Sequence, residues 1–155
     1  MRALRFDLVA AGSGVTPFLQ LLQDIYVDCW QGRGDGSGAG TSVRLVYSVR
    51  SEAGIIQRSL LDKLAGNGIT DMKVHYCCSS LQRGDRGKGK AAEGLGKNVS
   101  ISRGRVSASV LEERLHDSSA AAEEERVALV CGPDAFAAAA VEMLRAAGRA
   151  RVIVL

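Results

Sequence analysis

The chain has 155 residues, 46% of them hydrophobic and 24% charged, with a formal net charge of +3. That is the length of about one domain and the balance of an ordinary globular chain, which excludes disorder of the whole. No apolar run approaches the roughly 18 residues of a membrane span, and so small a charge makes no case for nucleic acid as partner.

In chain order, Leu8-Val9-Ala10-Ala11 reads as a buried strand, with Asp7 leaving its start ragged. The turn Gly12-Ser13-Gly14-Val15-Thr16-Pro17 follows at once. Thr16 suits an N-cap and Pro17 the first helical position. Phe18, Leu22, Ile25 and Cys29 recur at helical spacing, which predicts a helix to about Asp28. The glycine-rich stretch 31–42 reads as a loop. A strand is predicted at Val43–Val49, then a helix carrying Ile56, Leu60, Leu61 and Leu64, stopped by Gly66-Asn67-Gly68. The third strand is Lys73–Cys78, in which Cys77 and Cys78 face opposite ways. His75, inside that strand, reads as structural.

Residues 82–104 are basic and glycine-rich and read as a mobile insertion. Ser109 with Glu112 fits a capping box for a helix bearing Leu111 and Leu115. Val127–Cys131 is a fourth strand, followed by Gly132-Pro133. Phe136, Ala140, Met143, Leu144 and Ala147 line a last helix that ends at Gly148, and Arg151–Leu155 closes as a fifth strand. The alternation predicts an α/β fold: a five-stranded parallel sheet, order 3-2-1-4-5 in chain numbering, with helices on both faces.

In such a sheet a ligand sits outside the carboxyl ends of the strands, where strand order reverses. With order 3-2-1-4-5, strands one and four are neighbours. The turns Gly12–Pro17 and Cys131-Gly132-Pro133 then face one crevice. Glycines let a phosphate approach the backbone, and a helix N-terminus offers free N–H groups. The third glycine of G-x-G-x-x-G is absent, Pro17 standing in its place, and no G-K-[ST] follows. Four cysteines (Cys29, Cys77, Cys78, Cys131) and two histidines (His75, His116) show no metal-ligand spacing, so no metal is expected.

The chain resembles the pyridine-nucleotide-binding domain of the ferredoxin–NADP reductase and cytochrome b5 reductase superfamily. The stretches that carry the likeness are LVAAGSGVTP (Leu8–Pro17), RLVYSVRSEAGIIQRSLLDKL (Arg44–Leu64), KVHYCCSS (Lys73–Ser80), Gly104-Arg105-Val106 and VALVCGP (Val127–Pro133). The resemblance implies that Gly12, Ser13, Gly14 and Val15 hold the pyrophosphate of NADH or NADPH. It implies Thr16 and Pro17 near the nicotinamide and flavin. Cys131 lies against the nicotinamide ring, as the catalytic partner of Thr16, with Gly132 and Pro133 shaping that wall. Ser79, Ser80 and Arg83 border the adenosine ribose. With two serines, an arginine and no carboxylate before Asp85, the local chemistry tilts toward NADPH.

The implied function is the NAD(P)H-binding module of a flavin-dependent oxidoreductase. It passes hydride to a flavin held by a missing domain or partner, and electrons then go to a one-electron acceptor protein. The alternative is a non-catalytic NAD(P)-binding regulatory or sensing module. The seven residues before Leu8 cannot build the family's flavin-binding barrel, so FAD is expected only through another domain, and the chain is expected to be inactive alone. The charged start Met1–Asp7 leaves no place for a signal peptide's apolar stretch, and free thiols fit a reducing compartment. The expected location is intracellular, cytoplasmic or mitochondrial.

Overall fold

The computed structural model describes residues 4–31, 41–68, 70–80, 96–116 and 125–155. Among these residues six strands form one sheet: β1 (Leu4–Ala11), β2 (Ser42–Val49), β3 (Asp71–Cys78), β4 (Val99–Arg103), β5 (Glu125–Cys131) and β6 (Val152–Val154). Their order is β4-β3-β2-β1-β5-β6, and every pairing is parallel. The five foreseen strands take the foreseen order.

The correction is a sixth strand. β4 pairs with β3 from Val74↔Val99 to Cys78↔Arg103, inside the stretch read as an insertion. Val-Ser-Ile-Ser-Arg alternates apolar and polar, the mark of a strand with one face inward. Residues 82–95 of that stretch lie outside the described residues.

Among the described residues four α-helices cover the sheet: α1 (Thr16–Trp30), α2 (Arg58–Gly66), α3 (Ala108–Leu115) and α4 (Asp134–Ala146). The period-2 alternation of the strands sends Leu8, Leu45, Tyr47, Val74 and Tyr76 to one face, where they meet Phe18 and Leu22 of α1 and Leu61 and Leu64 of α2. Val9, Val46, Cys77 and Val130 go to the other, against Leu111 and Leu115 of α3 and Ala140 and Leu144 of α4. Cys77 and Cys78 do lie on opposite faces, one in each cluster. Each fully buried aliphatic or aromatic side chain contributes about 2 kcal/mol, which is why two helical stripes suffice to hold each face.

Two local expectations change. β1 begins at Leu4, not Leu8, and Asp7 is wholly buried within it. Its carboxylate is held by Arg5 Nε at 2.9 Å on one oxygen and by Arg149 Nε at 2.9 Å on the other. The second correction concerns α3, whose N-cap is Ser107 rather than Ser109. Ser107 Oγ accepts the N–H of Val110 at 3.3 Å. Two serines two residues apart offer two registers for a capping motif, and the one used turns Leu111 and Leu115 onto the sheet.

His75 is 3% exposed, its Nδ1 2.7 Å from Ser100 Oγ and its Nε2 2.8 Å from Ser102 Oγ. Burial, and then the Arg114 guanidinium, lower its pKa to about 4, against an opposing pull from Glu113. The folded state therefore prefers the neutral ring. The resulting stability is present above the ordinary value near 6.5 and is lost as pH falls toward 4. The wild type is expected to lose about 3 kcal/mol more stability between pH 6.5 and 4 than a His75→Asn variant loses. Urea denaturation of both chains across that range checks it; parallel curves would show that the ring does not titrate as described.

Candidate functional site

β1 is flanked by β2 on one side and β5 on the other, so strand order reverses at its carboxyl end. The chain leaves β1 through Gly12, whose φ of +55° is a left-handed value that suits glycine. A single 3-10 turn, Gly12–Val15, then leads into α1. Thr16 is not the cap. It is the first residue of α1, Val15 occupies the N-cap position, and no side chain bonds the helix N-terminus. Pro17 sits in the first helical turn, as expected. Thr16 is exposed, with its hydroxyl not committed to capping.

The turn after β5 packs on this one, backbone against backbone. A Cβ placed on Gly14 would lie 2.3 Å from the Cys131 carbonyl oxygen and 2.8 Å from the Gly132 nitrogen. A Cβ on Gly132 would lie 2.7 Å from the Phe136 ring and 3.1 Å from Ala11 Cβ. Pro133 caps α4, which starts at Asp134. The two glycine turns read from the sequence are thus one structural unit. Gly14 and Gly132 serve close approach, while Gly12 serves an unusual φ.

Beside this unit a cleft of about 450 Å³ opens over the carboxyl ends of the strands, within the usual range of small-molecule sites. Gly12, Ser48 and Ser79 form its polar wall, Arg50 and Arg105 supply positive charge, and Val106, Phe136 and Met143 form its apolar wall. No carboxylate is among the described residues that line it. Three backbone bonds lace this rim: Ser79 N–H to Val49 O at 3.1 Å, Ser80 N–H to Arg50 O at 2.7 Å, and Gly104 N–H to Cys78 O at 2.9 Å. They hold the loops after β2, β3 and β4 level, so that Arg50, Ser79 and Arg105 face one space.

Of the residues singled out in the sequence, Gly12 and Ser79 line the cleft, and Ser80 is tied to Arg50 next to it. Cys131 is half-buried and packs with the cluster under α1 and α2, whereas the cleft opens on the α4 side. Arg83 lies outside the described residues. The sequence reading missed Arg50 and Arg105 as cleft cations. Arg50 directly follows β2 and Arg105 comes two positions after β4, so the signal was position after a strand, hidden for Arg105 by the unrecognised β4.

Other hollows also occur among the described residues. One lies at the amino ends of β2 and β3 beside Lys73, His75 and Arg114, another between α1 and α2 beside Tyr26 and Leu60. Neither contains a residue of the glycine turns. Among the described residues no group of three or more His, Cys, Asp or Glu is placed to hold a metal, and no helix is long and apolar enough to cross a membrane.

The model of the oxidoreductase NAD-binding domain matches residues 8–142. The chain is 32% identical over 134 residues to barley (Hordeum vulgare) nitrate reductase [NAD(P)H], covering 86% of this chain and 13% of that protein. It is 30% identical over 131 residues to a rice (Oryza sativa subsp. japonica) nitrate reductase [NADH], covering 84% of this chain and 12% of that one. The chain therefore spans about an eighth of the length of these relatives. Among solved structures, it is similar in fold to the cytochrome b5 reductase domain of Ulva prolifera nitrate reductase, with TM-score 0.68 and 22% identity, over 97% of this chain and 48% of that one. It is also similar in fold to ferredoxin-NADP+ reductase from Plasmodium falciparum crystallised with 2'P-AMP, with TM-score 0.57 and 15% identity, over 99% of this chain and 53% of that one.

Proposed function

The chain belongs to the oxidoreductase NAD-binding domain family, and from that premise we propose that it is the nicotinamide-nucleotide-binding part of a flavin-dependent reductase. When bound, NADH or NADPH supplies hydride to a flavin carried by another domain or protein, and the chain's own task is to bind and orient the nucleotide. The observation that carries this reading is the backbone contact of Gly14 on Cys131-Gly132, which fuses the two turns of the switch point into one platform.

The residues fit the nucleotide. Gly12, Ser13, Gly14 and Val15 give a turn free of bulky side chains where it meets the cleft, with N–H groups at the start of α1 for the pyrophosphate. Arg50 and Arg105 supply positive charge beside the adenosine ribose, where NADPH carries its 2′-phosphate. Ser79 and Ser80 border the adenosine ribose, and Phe136 and Met143 give the base an apolar wall. Thr16 and Cys131, with Gly132 and Pro133, take the nicotinamide on the other side of the sheet edge. A flavin-binding domain and a one-electron acceptor protein are the partners this role requires.

One titration tests both the function and the choice of nucleotide. The purified chain is expected to bind reduced nucleotide, to bind no FAD, and to show diaphorase activity only when a flavin-binding barrel is supplied. Stoichiometric flavin on the isolated chain, or no affinity for either nucleotide, would overturn the proposal. With two arginines and no carboxylate among the described lining residues, NADPH is expected to bind more tightly than NADH at low salt, and the gap is expected to narrow as salt rises. Arg105→Ala is expected to weaken NADPH about tenfold and NADH less, the scale of one lost charge-assisted bond. Equal losses for both would place Arg105 on the shared pyrophosphate instead.

A further inference from the structure

Tyr47 lies toward the carboxyl end of β2 and is wholly buried on the α1 and α2 face of the sheet. Its hydroxyl donates to the carbonyl oxygen of Gly12 at 2.8 Å. The Tyr47 hydroxyl oxygen in turn accepts the backbone N–H of Ile56 at 3.4 Å. Burial pushes the phenol's pKa up, and the Ile56 bond only partly offsets this, so the group is a protonated donor at neutral pH. One buried hydroxyl thus joins the glycine turn to the loop that enters α2.

The peptide between Gly12 and Ser13 is planar and trans, so its carbonyl and its N–H point in opposite directions. The carbonyl is drawn toward Tyr47, on the α1 and α2 face. The cleft lies on the other side, against Phe136 and Met143 of α4. We infer that Tyr47 is a positioning residue for the nucleotide's pyrophosphate: by holding the Gly12 carbonyl on its own side, it turns the Ser13 N–H toward the cleft. A flip of this peptide rotates ψ of Gly12 and φ of Ser13, and Gly12, without a Cβ, accepts either ψ at little cost. A flipped peptide would present a carbonyl oxygen to an anion. The Tyr47 hydroxyl selects the orientation that offers a donor. The inference rests on the proposed nucleotide role and adds to it a residue that touches no part of the ligand.

Tyr76 provides the control. Its ring lies 6.2 Å from that of Tyr47, centroid to centroid, and its hydroxyl donates to Asp62 Oδ1 at 2.7 Å, away from the glycine turn. Tyr47→Phe and Tyr76→Phe each delete one buried hydroxyl from the same ring pair, and only the first touches Gly12. ADP-ribose and adenosine are titrated into the full chain and each variant, followed by NMR so that weak binding is still read. Tyr47→Phe is expected to weaken ADP-ribose about tenfold and to leave adenosine within about twofold; Tyr76→Phe is expected to leave both within about twofold.

Equal losses of the two ligands in Tyr47→Phe, or no loss of either, overturn the inference while the nucleotide role stands. A wild-type chain that ignores ADP-ribose overturns the nucleotide role itself. Should Tyr47→Phe not fold, the wild type decides alone. ADP-ribose is expected to shift the Ser13 amide signal strongly, and an unmoved Ser13 amide shows that its N–H does not meet the pyrophosphate.

Discussion

Gly14→Ala is expected to lower stability by about 3 kcal/mol and to weaken nucleotide binding by more than tenfold. The backbone of Gly14 has no positive φ, so conformational strain is not the reason. The cost comes from the new methyl, 2.3 Å from the Cys131 carbonyl oxygen and 2.6 Å from its carbon. Both are main-chain atoms of a strand end, which cannot rotate away. Relief requires the turns after β1 and β5 to part, and that separates the two halves of the proposed platform. Gly132→Ala makes the contrast: its nearest obstacle is the Phe136 ring at 2.7 Å, a side chain free to adjust. Thermal or urea unfolding together with NADPH titration ranks the two variants. If Gly14→Ala binds as well as the wild type, the turns are not a rigid unit.

Asp7→Ala is expected to cost about 3–5 kcal/mol, the range for breaking a buried ion pair by removing one partner. The carboxylate is fully buried, with Arg5 and Arg149 on its two oxygens. Both arginines also donate to the Leu115 carbonyl at the end of α3. Removing Asp7 leaves two guanidinium groups facing each other without the charge that reconciles them. A domain of ordinary stability, about 5–15 kcal/mol, loses a large share of it. The exposed pair Arg151–Glu125 serves as reference, with its side chains 60% and 50% exposed; Glu125→Ala is expected to cost under about 1 kcal/mol. Denaturant midpoints with an unchanged slope check both values. A cost for Asp7→Ala as small as that for Glu125→Ala would mean that the triad is solvated.

What could be read from the sequence was whatever local chemistry decides. The runs before Gly12 and before Gly132 are short, apolar and bounded by glycine, so strand, turn and helix follow from the residues themselves. The switch point then follows from strand order. Asp7 was misjudged because a charge in a strand is expensive only when unpaired, and Arg149, its partner from the far end of the chain, has no local signature. β4 was overlooked because its five residues follow a long basic, glycine-rich stretch, and an edge strand is specified by the neighbour it joins. Arg50 and Arg105 became visible as a pair only when β2, β3 and β4 were aligned side by side. Thr16 was given a cap it does not make, since the 3-10 turn before it places Val15 at that position. Tyr47 carried no signal of its own within its strand, and the role proposed for it rests on a bond to a residue 35 positions earlier.

The contact of Gly14 with Cys131 joins residues 117 positions apart (131 − 14), and every strand pairing in the sheet is parallel, hence between distant segments. Closing such long loops is the slow part of reaching a native topology, because chain entropy is lost before the contacts that reward it exist. The platform proposed for the nucleotide is therefore expected to be among the last features of the molecule to form. A nascent or partly unfolded chain with β1 and its turn in place but β5 undocked has the glycine motif without the site. Ligand affinity in this domain is accordingly a report on completed topology, and a bound nucleotide stabilises only the finished sheet.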